Sequence, residues 1–192
     1  MTADQESTKN RILTEAITVF QQKGLLGARM QEIADKAGIN KAMLHYYFKT
    51  KEELFSQVFQ QALTLFVVNI QQILASERTL VEKVSQYVDY TTSALSANPS
   101  IPSFVLHELN RDPLRLVTYF AGDNRLNLTR FTQHFSSTQQ ANQFFANMVS
   151  LCIYPFVARP MMEKLFGMSP QAYDQFLLQR KELIKSQLMQ QL

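Results

Sequence analysis

Lys41, Ala42, His45 and Tyr46 fall at spacings that bring them to one side of a short helix over residues 41–48. Together they suit contact with a polyanion. A lysine at the start of such a helix can reach a guanine edge or a phosphate. Tyrosine hydroxyls bond phosphate oxygens, and tyrosine rings can touch a thymine methyl. His45 can donate or accept. Met43 and Leu44 read as the inward pair, and Phe48 reads as core. Tyr47 stays open between contact and packing. Arg29, Gln31, Thr50 and Lys51 complete the candidate set, with Lys51 and the free amides at the start of the next helix forming a phosphate site.

These side chains need a frame, and the sequence just before them supplies one. Met30, Ile33, Ala34 and Ala37 give the apolar face of a helix that closes at Gly38-Ile39-Asn40. Gly38 provides the permissive backbone of a tight turn. Asn40 is a good N-cap, since its side-chain oxygen can accept from the free amides of the helix that follows. Two short helices joined in this way form a helix-turn-helix, whose second helix fits the DNA major groove. Ile12, Leu13, Ala16, Ile17 and Phe20 predict a first helix from about Ser7 or Thr8 to Lys23, ended by Gly24 and preceded by six frayed residues. It must brace the motif, because two short helices alone bury too little.

The wider pattern, Ile12, Ala16, Phe20, Gly24, Ile33-Ala34, Ala37-Gly38 and the run from Leu44 to Leu54, resembles the TetR/AcrR family of transcriptional regulators. The resemblance covers residues 7–55. Arg29 stands where that family usually has Thr, Asn40 where it has Ser or Thr, and His45 where it has Tyr. The resemblance implies an all-α fold: a helix-turn-helix DNA-binding domain over residues 1–50, and a helical ligand-binding and dimerisation domain over 51–192. It implies a double-stranded DNA operator, a homodimer and a small-molecule effector as partners, no cofactor, and a cytoplasmic location.

Composition agrees with an all-helical chain of about nine helices. Glycines number 5 and prolines 6, with no hairpin dipeptides or sustained alternation, and 46% hydrophobic residues are enough for a real core. The net charge of +3 is modest, and residues 1–56 carry eight basic against seven acidic side chains. Local placement of Lys9, Arg11, Arg29, Lys41, Lys49 and Lys51 must therefore make the case for nucleic acid. Cys152 is the only cysteine; it excludes an internal disulfide and a cysteine metal cluster, and its apolar run predicts a buried, inert thiol. No apolar leader opens the chain. Residues 131–158 lack Asp, Glu, Lys and Arg, yet Asn142, Gln143, Asn147, Ser150 and Pro155 interrupt them, so they read as a buried helix rather than a membrane span. Three histidines, no HExxH, no P-loop and no GxSxG exclude the common catalytic designs, and no catalytic or metal-binding residue is assigned.

Beyond the motif, Thr50 with Glu53 predicts a capping box opening a long helix over 51–75, the lever between the two parts. Its stripe is Leu54, Phe55, Val58, Phe59, Ala62, Leu65, Phe66, Ile70 and Ile73. A helix over 80–97 should turn Val81, Val84, Val88 and Leu95 inward. Further segments follow at 103–110, 114–120 and 126–135, then a helix over 139–157 kinked at Pro155, a short one between Arg159 and Gly167, and a last one after Ser169-Pro170. Phe66, Phe104, Phe131, Phe144, Phe145 and Met148, with His107, Glu108 and Arg111, are candidates for an apolar pocket with polar anchors. Glu108 and Arg111 equally suit a surface ion pair, being three apart. The last two long helices are the candidate dimer interface, through Cys152, Phe156, Tyr173, Phe176, Leu177, Arg180 and Ile184. A helical carrier or interaction module with a vestigial helix-turn-helix is the alternative reading, and an activator of the same architecture is a third.

Overall fold

The computed structural model describes residues 3–99, 101–111, 114 and 127–192. Every regular element among them is a helix: α1 (Ala3–Gly27), α2 (Met30–Lys36), α3 (Lys41–Tyr47), α4 (Lys51–Ala75), α5 (Leu80–Ala97), α6 (Ile101–Arg111), α7 (Thr129–Thr132), α8 (Thr138–Val157), α9 (Arg159–Leu165) and α10 (Pro170–Met189). The expected helix over 114–120, apart from Leu114, and the turn at Gly122 lie outside the described residues. The chain groups into two compact units, residues 1–64 with 104–116, and residues 65–103 with 117–192.

In the first unit α1 begins at Ala3, so residues 3–6, expected to fray, are helical. Gly24 does end its regular part: at φ 63° and ψ −179° it adopts a conformation nearly closed to other residues. The core lies on the face read from the sequence, with Ile12, Ala16, Phe20, Ile33, Ala34, Ala37 and Leu44 buried. Phe20 meets Phe55 of α4 edge to face at 4.9 Å. Leu54, Phe55, Val58 and Phe59 bury the first turns of α4. Among the described residues α4 is the one single helix long and apolar enough by composition to cross a bilayer. Its stripe also includes Leu63, Val67 and Leu74, which sequence spacing left out.

The second unit is built on α5, α8 and α10, which pack against one another. Thr79 and Glu82 make a full capping box at the start of α5. Val84, Val88 and Leu95 are buried as expected, but Val81 is 52% exposed: it sits in the first turn, ahead of the packed stretch. Ser137 caps α8 by accepting from the Gln140 amide, and Ser169 caps α10 by accepting from that of Ala172. α8 continues through Pro155 to Val157, and a 68° bend follows between α8 and α9. Tyr173 fixes that corner, its hydroxyl donating to the Pro155 carbonyl at 2.7 Å. Arg159 pairs with Glu163 and Asp174 and lies 5.2 Å over the Tyr173 ring. Lys83 is almost wholly buried without a carboxylate among its hydrogen-bond partners. Its ammonium donates to the Arg130 carbonyl at 2.8 Å and lies 3.4 Å from Nε2 of His134, and burial holds its pKa below the usual lysine value.

Candidate nucleic-acid interface

α3 is a seven-residue helix held at both ends. Asn40 caps it, Oδ1 accepting from the Met43 amide at 2.7 Å. Gly38, at φ +64°, makes the turn from α2, and an added Cβ there would meet nothing within 4 Å. Leu44 and Phe48 are fully buried and fasten the helix to the core. A helix this short buries one narrow stripe, and the opposite face is left to solvent. Lys41, Ala42 and His45 are exposed on it, and Tyr46 is 73% exposed. Tyr47 is half-buried and stands edge-on to Tyr46, ring centroids 5.3 Å apart. That contact leaves Tyr46 largely open to solvent.

The flanking candidates divide. Arg29 and Gln31 are exposed at the start of α2; Gln31 donates to Asp35 at 2.7 Å, and Arg29 occupies the N-cap position without capping. Thr50 caps α4 by accepting from the Glu53 amide at 3.1 Å, and Glu53 accepts from the Lys49 amide, one residue earlier than a standard capping box. Lys51 is a correction. Its ammonium donates to the Ala28 and Leu26 carbonyls at 3.0 and 3.4 Å, at and just past the end of α1, where helix carbonyls need donors. Met43 is a second correction: it is 43% exposed beside the reading face and not part of the core. Lys23 binds both oxygens of Glu32 at 2.7 Å and so ties α1 to α2.

Other candidate residues fall elsewhere. Phe131, Phe144 and Met148 are brought together in the buried core of the second unit, with Phe66 and Phe145 half-buried against it. Phe104, His107, Glu108 and Arg111 lie on α6, with side chains outside the described residues. The interface set needs revision. Cys152, Phe156, Tyr173, Leu177 and Ile184 are all buried within the chain's own core, so they have little surface left to offer a second copy. Phe176 packs on Tyr173 at 5.2 Å, and Arg180 turns its Nε into the core. The outer faces of α8 and α10 still expose Tyr154, Leu178 and Leu183. Burial pushes the Cys152 thiol up to about 12, as an inert thiol requires.

A capped, exposed helix set on a glycine turn, braced by a longer helix, is a helix-turn-helix, the arrangement whose second helix fits the DNA major groove. Residues 12–58 match the family described as "Bacterial regulatory proteins, tetR family". The chain is 33% identical over 79 residues to the transcriptional repressor KstR2 of Mycolicibacterium smegmatis, across 41% of this chain and 38% of that one. It is 41% identical over 59 residues to the transcriptional regulator RutR of Escherichia coli K12, across 31% of this chain and 28% of that one. The similarity thus spans well under half the length of either relative. The fold extends further. A TetR-like transcriptional regulator from Rhodococcus sp. RHA1 superposes with a TM-score of 0.67 at 18% identity, covering 98% of this chain and 96% of that one. HlyIIR, a hemolysin II transcriptional regulator, does so at 0.58 and 25% identity, covering 84% and 93%.

Proposed function

We propose that the chain is a homodimeric, ligand-responsive transcriptional repressor acting in the cytoplasm, reading one operator half-site with each α3. The observation that carries this reading is the outward face of α3, where Lys41, Ala42, His45 and Tyr46 stand clear of the core that Leu44 and Phe48 enter. Arg29, Gln31, Tyr47 and Thr50 serve the flanking backbone, and Met43 offers a methyl-sized apolar contact beside them. Functionally the chain divides into a DNA-binding part, residues 1–50, and a sensing and dimerising part, residues 51–192. The dimer forms through the outer faces of α8 and α10, in the manner of a four-helix bundle. Two reading heads must then sit about 34–36 Å apart, or a multiple of that, on a palindromic site. An effector bound in the helical body shifts α4 and changes that separation, and it does so only by its differential affinity for the two states. KstR2, to which part of this chain is similar, is a repressor, and that favours repression over activation.

Selection of bound duplexes from random DNA tests the proposal. The expected outcome is a palindromic consensus, bound by a dimer, with an affinity that falls steeply with salt. Tyr46→Ala and Lys41→Ala should each abolish selective binding while sedimentation still reports a dimer. A chain that stays monomeric, or that prefers no duplex at ordinary ionic strength, sinks the reading and leaves the carrier alternative.

A further inference from the structure

The apolar interior of the second unit is not continuous. One buried cluster gathers Val84, Tyr87 and Val88 of α5, Met148 and Cys152 of α8, and Ile184 and Leu188 of α10. A second gathers Leu95, Phe156, Tyr173 and Leu177 from the same three helices. Where one gives way to the other, the inward positions turn polar. On α5 these are Thr91 and Thr92, both buried, between Val88 and Leu95. On α10 it is Arg180, three residues after Leu177 and four before Ile184. Helical spacing puts Arg180 on the same stripe as its buried neighbours.

One group at this seam lacks a partner among the described residues. Thr92 is satisfied, its hydroxyl donating to the Val88 carbonyl at 2.7 Å. Thr91 Oγ1 is buried beside the Tyr87 phenol, which bonds to it, while Arg180 Nε is buried with no hydrogen-bond partner among the described residues. Nor is there a carboxylate among the described residues to pair with Arg180. Asp89 is engaged by Lys181 and Lys185 at 2.6 and 2.7 Å, Glu182 by Lys185, and Glu163 and Asp174 by Arg159. The remaining titratable neighbours are neutral acids: burial raises the pKa of the Tyr87 phenol, the Cys152 thiol and the Tyr173 phenol. A half-buried guanidinium without a counter-ion is costly, and a sealed core would be better served by Leu or Met at that position.

We propose that this seam seats the negative group of an effector, a carboxylate carried on an otherwise apolar small molecule. The guanidinium fork matches a carboxylate in shape and charge, and the Thr91 hydroxyl supplies a further donor. Phe66, packed against both clusters, and Phe176 give the apolar wall. The inference rests on the reading that the helical body takes a small-molecule effector, and it names that molecule's chemical class.

The test uses the full chain and matched probes: octanoate against octanamide, and benzoate against benzamide, followed by calorimetric titration and thermal denaturation. The expected result is that at least one carboxylate binds and raises the melting temperature, and its amide does not. Arg180→Met should weaken that carboxylate about 10- to 100-fold, the range of a lost charge-assisted hydrogen bond, and Arg180→Lys should recover part of it. Thr91→Val, a smaller change, should weaken it severalfold and serves if Arg180→Met fails to fold. Equal binding of acid and amide, full affinity in Arg180→Met or Thr91→Val, or no carboxylate binding at millimolar concentration overturns the assignment. Operator affinity is measured separately. A carboxylate that binds through Arg180 without changing DNA affinity keeps the site and removes the effector reading. Release by an uncharged molecule does the reverse.

Discussion

Asn40→Ala separates the making of the reading head from the reading itself. Asn40 is exposed, so its truncation opens no cavity; it removes one acceptor, 2.7 Å from the Met43 amide. Losing an Asn N-cap costs about 1 kcal/mol. α3 is seven residues long and buries Leu44 alone within its span, so this cost falls on a helix with few other attachments. At RT of about 0.6 kcal/mol, 1 kcal/mol raises the population of the locally opened helix about fivefold. The Leu44 and Phe48 amides, bonded to the Asn40 and Leu44 carbonyls at 3.1 and 2.9 Å, report that opening directly. Their hydrogen exchange should quicken about fivefold. Operator affinity scales with the fraction of molecules whose α3 is formed, so it should change less than twofold while that fraction stays near one. Asn40→Ser restores a capping oxygen and should restore protection. A loss of operator affinity above tenfold, with exchange at Leu44 and Phe48 unchanged, would refute the reasoning: the Asn40 amide would then be touching DNA, not holding the helix.

Other outcomes follow from the same geometry. Gly38→Ala meets no steric obstacle, so its cost is the left-handed backbone alone, about 1–2 kcal/mol. Gly167→Ala, at φ +61° and equally uncrowded, should lower the melting temperature by a similar amount yet leave operator binding intact. Burial pushes the Asp89 carboxyl up, but the Lys181 and Lys185 ammonium groups more than offset this and hold its pKa below the usual value. Its contribution to stability is therefore present above pH of about 4 and lost as pH falls through the folded-state value. With the side chain 41% exposed, Asp89→Asn should cost under about 1 kcal/mol at pH 7 in a denaturant titration, and the gap to wild type should narrow toward pH 3. Cys152, buried and with its thiol pushed up to about 12, should react with a disulfide reagent only as fast as the second unit opens, and at an ordinary rate once denatured.

The sequence revealed most where structure is decided locally. The Gly38 turn, the Asn40 cap and the bounds of α4 and α5 depend on residues a few positions apart, and they appear where spacing and capping chemistry put them. Met43 and Val81 went the other way because apolar character says nothing about width of contact: α3 touches the core along a single stripe, and Val81 precedes the packed part of α5. Lys51 could not be foreseen, since its partners are carbonyls 25 and 23 residues earlier. From sequence, the stripe of α10 reads as a surface for a second copy. An apolar stripe has the same period whether it meets a partner or its own chain, and only the burial of Tyr173, Leu177 and Ile184 tells the two apart. Lys83 left no trace in sequence either, because its solvation by the Arg130 carbonyl comes from a segment 47 residues away.

The inward turn of Lys51 has a mechanical consequence. The opening residue of α4 is moored to the strap of chain that leads into α2, while α2 is pinned to α1 by Lys23 and Glu32. A shift of that first turn along its axis would therefore tug on the strap before any force reached α3 itself. The head would then tilt as one piece, with α3 keeping its shape and changing only its aim.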